Sequence, residues 1–409
     1  MGLSLSRGTA TALFIAKLLG FVGLRFSPAT MENLSDDVLC NIFSPLPAKQ
    51  LAQMRCISKF WNDLLSQPSF IKLHLDRSIR NNDGIILIFF DSFSFDSEPF
   101  TTHLTRSPYL KHPNFIKLPV NLQSKHGVGN VIGSVNGLVC FKYRSYHDSK
   151  VIYIWNPSLS ALLTLPAYST PSHSYDMIHY NFAFGFDPKE NDYKVVKIMQ
   201  VDNEWMQVEV YSMRKGSWKL ITENIPSHIT SVYSQEDICV DGHAGRVHWL
   251  AETSCGRTVD TILSFDLCAE TFHKIPLPES VANDVLNENV PNIHINLGVL
   301  AGKLCVISNA ENYKCEVWVM NEYGMAESWV MLDPFPQFIG DINPFGFTSK
   351  NEFLFRHYPR GLALYDSTEA KTKYFNFCID YLIKGFKIVE YVDSLVWVKP
   401  AEKSETCCF

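Results

Sequence analysis

A pair of strands that recurs about every 50 residues constrains this chain more than any other feature. Each copy has an apolar strand with an aromatic residue near its end, a turn and a second strand, as in VIYIWNPSLSALLTLP (151–166). Intervals of 56, 54, 53 and 47 residues separate these aromatic residues: Trp155, Tyr211, Phe265, Trp318 and Tyr365. Short runs rich in Val, Ile and aromatics, bounded by Gly, Pro, Asn and Asp, are typical of successive β-strands. After residue 80 no segment has the pattern of a helix of normal length.

Another apolar strand precedes most copies by about 13 to 20 residues. These strands are NGLVCF (136–141), YKVVKI (193–198), GRVHWLA (245–251), GKLCVIS (302–308) and NEFLF (351–355). Two alternating strand pairs give four strands per repeat, which predicts a β-propeller of kelch spacing with five clear blades. The segments DGIILIFFDSF (83–93) and DSLVWVK (393–399) could supply a further blade from both ends. A large β-sandwich array is the alternative, and the regular period disfavours it.

Residues 32–75 have apolar side chains three and four positions apart, which is helical spacing. Ser35 can cap the first helix, with Asp36 and Asp37 in its first turn; Pro45 and Pro47 end that helix, and Pro47 can begin the next. We expect about three helices here. About 40 residues cannot enclose so many large side chains, so part of this apolar surface must meet the rest of the chain or a partner.

Composition excludes several classes of protein. The chain is 46% hydrophobic and 19% charged, which is not the composition of a disordered protein. Its net charge is −6, and it has no block of like charges, so the sequence shows no basic patch that would bind nucleic acid or anionic lipid. The 11 cysteines contain no C-x-x-C pair and fit neither a disulfide framework nor a zinc module. A reducing cytoplasm or nucleus is the expected location.

The first 30 residues are apolar and basic, but Lys17 interrupts the run, which is too short to span a bilayer. We therefore expect no membrane anchor. Residues 1–30 are expected to be a dispensable extension, with Met31 as the natural start; a targeting segment is the alternative. Residues 401–409 form a short polar tail.

Motifs for catalysis are absent from the sequence: it contains no G-x-S-x-G, H-E-x-x-H or P-loop pattern. His248 is expected to pack within a strand, and Cys140, Cys305 and Cys378 to be core residues. The segment FGFDPKENDYKVVKI (184–198) is interpreted as a turn rather than a calcium loop, because it lacks the D-x-D-x-D-G spacing. We expect no enzymatic activity, no metal and no cofactor.

Two sets of motifs resemble a known family. LSDDVLCNIFSPLPAKQLAQMRCISKFWNDLLSQPSFIKLHL (34–75) resembles the F-box. GSVNGLVCF (133–141), IWNPSLSALLTLP (154–166), FGFDPKENDYKVVKI (184–198), VEVYSMRKGSWKLI (208–221) and GRVHWLA (245–251) look like the F-box-associated, kelch-like domain of plant F-box proteins. The resemblance implies an α+β multidomain chain, with a small helical F-box at 31–76 followed by an all-β kelch-like propeller at 80–400.

This resemblance also implies a function. Such a chain is a non-catalytic, substrate-recognition subunit of a Skp–cullin–F-box E3 ubiquitin ligase. Its F-box binds a Skp-family adaptor, which links it to cullin and the RING subunit, and its propeller binds a target protein for ubiquitination. A kelch-type propeller acting as a lectin or oxidase is the alternative, and it would require a metal or ligand cluster in the central channel. An F-box protein acting outside degradation is a third reading.

The resemblance carries over to specific positions. The implied adaptor-binding residues are Leu34, Asp37, Val38, Leu39, Ile42, Leu46, Pro47, Leu51, Ile57, Ser58, Lys59 and Trp61. Two residues depart from the family pattern: Ser35 stands where Pro is usual, and Pro45 stands where Arg is common. Pro45 lacks a backbone donor, so we expect weaker adaptor binding. The expected target-binding loops are 97–130, 167–181, 222–241 and 279–295.

Overall fold

The structure is a computed structural model that divides into two compact units. It describes residues 34–81, 85–90, 100–104, 131–142, 151–170, 178–201, 204–222, 225–233, 245–253, 259–286, 294–310, 314–332, 338, 342–358, 360–375 and 386–398. The helical unit comprises the chain up to Asn81 together with Val392–Val396, and the strand-rich unit comprises Asn82–Tyr391 and the chain from Trp397. The expectations for residues 1–30 and 401–409 lie outside the described residues.

Four helices build the described part of the helical unit. They are α1 (Asp36–Phe43), α2 (Ala48–Arg55), α3 (Lys59–Leu65) and α4 (Pro68–Arg80). The expectation of about three helices is wrong because α3 ends at the cap residue Ser66 and Pro68 begins a separate helix. Proline suits the first helical position, where its missing N–H leaves no bond unmade.

The start of α1 differs in detail from the prediction. Ser35 is the N-cap residue, but its side chain makes no capping hydrogen bond. Its backbone carbonyl oxygen instead accepts the Leu39 N–H at 3.1 Å. Asp36 and Asp37 do lie in the first turn, where the helix dipole favours negative charge. Pro47 is the N-cap of α2 and precedes its first helical residue.

Strands dominate the second unit. Strands β1 (Ile85–Phe90) and β2 (Phe100–Leu104) come first. Five four-stranded antiparallel sheets follow in the described residues, each built from four consecutive strands. They are β3 (Val131–Val135), β4 (Leu138–Lys142), β5 (Ile152–Asn156) and β6 (Ala161–Thr164); β7 (Ile178–Asp187), β8 (Asp192–Val201), β9 (Glu204–Ser212) and β10 (Ser217–Ile221); β11 (Ile229–Tyr233), β12 (Arg246–Thr253), β13 (Thr261–Asp266) and β14 (Thr271–Pro276); β15 (His294–Leu300), β16 (Lys303–Ala310), β17 (Lys314–Met320) and β18 (Trp329–Met331); and β19 (Ile342–Phe347), β20 (Phe353–His357), β21 (Gly361–Asp366) and β22 (Lys371–Tyr374).

The sequence repeat corresponds to these sheets strand by strand. The five aromatic residues that mark the repeat lie in β5, β9, β13, β17 and β21, the third strand of each sheet. The strands predicted to precede them are β4, β8, β12, β16 and β20, the second strand of each sheet. Apolar side chains from neighbouring sheets pack together between them, as Val196 of β8 does with Val247 of β12. The predicted fold class, a helical domain followed by an all-β propeller, is confirmed.

A three-stranded sheet joins the two ends of the propeller. Strand β23 (Phe386–Tyr391) pairs with β1, and β2 pairs with the other edge of β1. The predicted strand DSLVWVK (393–399) is wrong, because its described residues 393–398 form no strand and FKIVEY supplies the pairing instead. The Ser394 hydroxyl oxygen accepts the Val396 N–H at 3.2 Å, a local bond that competes with sheet pairing.

Glu390 of β23 connects this closing sheet to the blades on both sides. The N–H and hydroxyl of Ser349 each donate to the Glu390 carboxylate, at 2.7 Å. The Ser134 hydroxyl of β3 donates to the Glu390 carbonyl oxygen at 3.0 Å. Burial raises the pKa of Glu390, while the Ser349 hydrogen bonds oppose that rise. The first and last blades are therefore tied to one strand.

In four of the five blades, the hairpin between the third and fourth strands has the same turn design. The first turn residue is Asn, Asp or Ser, and its side chain accepts an N–H two or three residues later. The fifth residue has positive φ: Ser160 (51°), Gly216 (67°), Glu270 (57°) and Ala370 (50°). Asp187 opens a similar turn between β7 and β8, accepting the N–H groups of Lys189 and Glu190 at 3.0 and 3.1 Å. This confirms the interpretation of FGFDPKENDYKVVKI as a turn.

Among the described residues, one α-helix and the short 3-10 helix Ala326–Ser328 interrupt the strands where no helix was predicted. Helix α5 (Glu279–Leu286) lies in the segment 279–295, expected to be a loop. Val281 is 1% exposed and belongs to a core cluster with Ile275 and Leu277. Eight residues cover only about two helical turns, too few for a periodic apolar pattern to stand out.

Two tryptophans link neighbouring blades. The Trp218 indole N–H of β10 donates to the carbonyl oxygen of Pro166, which follows β6, at 2.7 Å. The Trp329 indole of β18 donates to Pro276 at the end of β14, at 2.9 Å. Each bond joins the outermost strand of a blade to the end of the outermost strand of the preceding blade. No feature of the sequence repeat indicated these bonds.

The positive-φ turn position gives a paired prediction. A β-carbon disfavours left-handed backbone, so Ala370→Gly should raise the free energy of unfolding by about 1 kcal/mol and Gly216→Ala should lower it by about as much. Urea unfolding midpoints measure both changes. As a control, Ala183→Gly within the extended strand β7 should lower stability. A lower midpoint for Ala370→Gly would contradict a strained residue at this turn position.

The tryptophan link gives a second prediction. Trp329→Phe keeps a large aromatic ring but removes the donor to Pro276, and should cost about 1 kcal/mol. The matched control is Trp397→Phe: Trp397 is 42% exposed, against 8% for Trp329, and its replacement should change stability by less than about 0.5 kcal/mol. Thermal unfolding of the two variants tests this difference. Equal effects would mean that the hydrogen bond between blades contributes nothing measurable.

Candidate functional site

The twelve predicted adaptor-binding residues lie on α1, α2 and α3 or on the turns beside them, and they divide by exposure into three groups. Exposed are Asp37, Val38, Pro47 and Lys59; half-buried are Leu34, Ile42, Ile57 and Ser58; buried are Leu39, Leu46, Leu51 and Trp61. Only the first two groups offer side-chain surface to a partner in this conformation.

The buried group forms part of the core. Leu39 and Leu51 are fully buried, and Trp61 is 2% exposed. The Trp61 ring meets Phe43 edge-on, with 5.0 Å between centroids, which brings α3 against α1. These residues hold the helices that carry the exposed group.

One of the half-buried residues has a clear structural role. The Ser58 hydroxyl oxygen accepts the Trp61 N–H at 3.2 Å and so caps α3. Among the exposed residues, Val38 is a large apolar side chain with 43% of its surface accessible. Pro45 is exposed in the turn after α1, where the Leu46 N–H donates to the Phe43 carbonyl oxygen at 2.9 Å. The turn thus closes without needing a donor at residue 45.

Two residues that sequence reasoning missed hold the turn between α1 and α2. His74 of α4 is 1% exposed, and its Nε2 lies 3.0 Å from the Leu46 carbonyl oxygen. The Ala48 N–H donates to Asp393 Oδ2 at 2.7 Å. Both His74 and Asp393 belong to the helical unit. His74 lies in the stretch that resembles the F-box and Asp393 in the predicted strand 393–399, but neither pattern indicates a contact with this turn, and 345 positions separate Asp393 from Ala48.

Burial shifts the pKa values of three side chains in this unit. Burial lowers the pKa of His74, against the opposing effects of the Leu46 carbonyl and Asp393. Burial also lowers the pKa of Arg55. The pKa of the Cys40 thiol is raised, first by burial and then by Asp36 and Asp37. A thiol with a raised pKa is a poor nucleophile at neutral pH.

Polar clusters in the propeller serve packing. His248 is 6% exposed, and its Nε2 lies 2.8 Å from the Tyr323 hydroxyl, which is 2.7 Å from Ser264 Oγ. Ser264 is fully buried, and Tyr323 is half-buried. The set joins the third and fourth blades, in agreement with the expectation that His248 packs within a strand.

Buried ion pairs of the second blade are also structural. The Lys197 ammonium is fully buried and donates to Glu209 Oε2 at 2.5 Å and to the Ser169 carbonyl oxygen at 2.7 Å. Lys194 Nζ lies 2.9 Å from Asp187 Oδ2. Burial lowers the pKa of Lys197, while Glu209 opposes that shift. Because each charge has an opposite partner, these pairs offer no unpaired group for chemistry.

The cysteines expected to be core residues are buried where the structure describes them. Cys140 and Cys305 are fully buried, and burial raises the pKa of Cys305; Cys378 lies outside the described residues. Within the described ranges, no three His, Cys, Asp or Glu side chains are grouped to hold a metal ion. Over the same ranges, no helix has the length and apolar character needed to cross a membrane.

The predicted target-binding loops contain regular structure. Strand β2 lies in 97–130, the start of β7 in 167–181, β11 in 222–241, and α5 with the start of β15 in 279–295. The prediction that these segments are wholly loops is wrong in those parts, because each segment contains only a short element or the end of one, too few residues to show a periodic apolar pattern. Most of 97–130 lies outside the described residues.

Comparison with known families covers both units. An F-box domain matches residues 31–73, and an F-box associated beta propeller domain matches residues 86–360. The first match covers α1 to α3 and the beginning of α4. The second runs from β1 to β20, which takes in the first four blades and the first two strands of the fifth.

Known plant F-box proteins are similar to the chain over much of its length. F-box protein CPR1 of Arabidopsis thaliana is 29% identical over 74% of this chain and 73% of its own. An F-box/kelch-repeat protein of the same plant is 26% identical over 85% of this chain and 91% of its own. F-box protein DOR, also from Arabidopsis thaliana, is 28% identical over 60% of this chain and 62% of its own. With its helical F-box and its propeller both matched, the chain belongs to the plant F-box proteins that carry an F-box-associated β-propeller domain.

Proposed function

We propose that this protein is the substrate-recognition subunit of a Skp–cullin–F-box ubiquitin ligase. The observation that carries the proposal is the presence of an F-box and an F-box-associated propeller in one chain. The F-box binds a Skp-family adaptor, through which cullin and the RING subunit join the complex. The propeller binds a target protein.

The mechanism is proximity. Binding the adaptor with one unit and the target with the other raises the effective concentration of a target lysine near activated ubiquitin carried by other subunits. The chain contributes binding energy and orientation, and other subunits carry out the chemistry. Its buried thiols, such as Cys305, and its paired polar clusters support this non-catalytic role.

The adaptor surface is proposed to centre on Val38 and Pro47. Both are exposed: Val38 lies in the first turn of α1, and Pro47 is the N-cap residue of α2. Asp37 and Lys59 provide a polar rim, as is usual around an apolar contact. Buried residues of the predicted set, such as Leu46 and Leu51, act from within by holding the helices.

The complex is proposed to act in the cytoplasm, the nucleus or both. Six described cysteines are free thiols: Cys40, Cys56, Cys140, Cys268, Cys305 and Cys315. Free thiols persist in these reducing compartments, which supports the assignment.

The exposed apolar residue gives the sharpest test of the adaptor surface. Val38→Glu should weaken adaptor binding at least tenfold, because it places a charge in an apolar interface. The matched control is Ile79→Glu on α4: Ile79 is 41% exposed, close to the 43% of Val38, and lies outside the predicted set. Binding of a purified Skp-family adaptor to both full-length variants is measured by calorimetry.

Val38 and Ile79 are almost equally exposed on the same unit, so the two substitutions should affect folding alike. A difference in adaptor affinity between the two variants therefore reports on binding. A truncation such as Leu46→Ala is less informative, because Leu46 is 6% exposed and its loss should also destabilise the helices by about 2 to 5 kcal/mol. Equal adaptor affinity for Val38→Glu and wild type would place the interface elsewhere.

Target selection is proposed to reside in two or more of the segments 97–130, 167–181, 222–241 and 279–295. Exchanging 234–241 and 287–293 for those of a related F-box protein avoids strand β11 and helix α5, so the blades should remain intact. The exchange should change which proteins are captured by the propeller, as measured by quantitative mass spectrometry. Exchange of the hairpin turn 367–369 is the control. An unchanged set of captured proteins after the first exchange contradicts this assignment.

A further inference from the structure

The N-terminus of α2 is capped by a residue from the far end of the chain. The N-cap residue Pro47 has no polar side chain, although its carbonyl oxygen accepts the N–H groups of Gln50 and Leu51 at 2.9 and 3.1 Å. The first N–H groups of a helix need acceptors from outside it. Asp393 Oδ2 accepts the Ala48 N–H at 2.7 Å. The carboxylate also lies at the positive end of the helix dipole, where negative charge is stabilising.

The same carboxylate lies beside the second support of this turn. Asp393 Oδ2 is 3.9 Å from His74 Nε2, the atom that lies 3.0 Å from the Leu46 carbonyl oxygen. Because a carbonyl oxygen only accepts, His74 Nε2 donates in that bond. Pro47 is therefore flanked by two held backbone groups, the Leu46 carbonyl and the Ala48 N–H.

The segment that carries Asp393 is firmly packed. Ser394 and Leu395 are fully buried. The Ser394 hydroxyl oxygen accepts the Val396 N–H, which gives the segment a defined local conformation. These residues belong to the helical unit although about 310 residues of propeller separate them from α4.

We propose that Asp393 is a positioning residue for adaptor binding, and that residues 392–396 are a structural part of the adaptor-binding unit. The inference rests on the proposed function for its binding partner. Asp393 fixes the Leu46–Ala48 turn from one side and His74 fixes it from the other. The exposed Pro47 is thus presented in one orientation, which reduces the ordering required when an adaptor binds.

The test uses three full-length variants. Asp393→Ala removes the acceptor, whereas Asp393→Asn keeps a side-chain oxygen that can still cap the helix. The control is Asp366→Ala, because Asp366 also accepts backbone N–H groups but caps a propeller turn. Two quantities are measured for each: the dissociation constant for a Skp-family adaptor, and the hydrogen-exchange rate of the Ala48 amide in the free protein.

Asp393→Ala should raise the dissociation constant about fivefold and raise the Ala48 exchange rate by a similar factor. Asp393→Asn should restore most of the adaptor affinity and most of the Ala48 protection. Asp366→Ala should leave the dissociation constant and the Ala48 exchange rate unchanged. Wild-type affinity and wild-type Ala48 protection in Asp393→Ala would overturn the inference. Faster Ala48 exchange with unchanged affinity would overturn the role in binding. If wild type binds no adaptor, the proposed function fails, while the exchange rate still decides whether Asp393 caps the helix.

Discussion

Pairing between the first and last strands of the propeller is the constraint on which the closed set of blades depends. Strand β1 pairs with β23 along its whole length, from Ile85 opposite Tyr391 to Phe90 opposite Phe386. This pairing turns a row of blades into a closed set, with Glu390 bonded to both the first blade and the last. The chain then continues directly from Tyr391 into the segment 392–396, which completes the helical unit. Asp393, which caps α2, lies two residues after the end of the closing strand.

Regularity within the blades comes from local chemistry. Four blades have the same hairpin between their third and fourth strands. The first residue of the turn has a polar side chain that accepts N–H groups, and the fifth residue of the turn has positive φ. Such turns are encoded by nearby residues and do not require distant contacts. Bonds between blades are more varied: tryptophan donates to a proline carbonyl at two places, and Tyr323 bonds to His248 and Ser264 at another. The repeat therefore determines the blade, and individual side chains determine how the blades join.

The sequence was informative where structure is periodic. Each marker aromatic, from Trp155 to Tyr365, lies in the third strand of its blade because alternating apolar residues and turn residues are local signals. Prediction failed where tertiary contacts override local pattern. Strand β23 was missed beside DSLVWVK, whose residues bond locally instead, and helix α5 was too short to show a period. Among the candidate site residues, the F-box motif located all twelve on or beside α1–α3, but it could not reveal His74 or Asp393, whose roles exist only in the folded chain.

The central claim is that the helical unit binds an adaptor while the propeller remains available for a target. Cross-linking mass spectrometry of the full-length chain mixed with a Skp-family adaptor, using an amine-reactive reagent, tests it directly. Lys49 and Lys59 are exposed on the helical unit, and Lys215 and Lys371 are exposed on the propeller. Adaptor cross-links are predicted at Lys49 and Lys59 but not at the propeller lysines. Cross-links confined to Lys215 and Lys371 would contradict the claim.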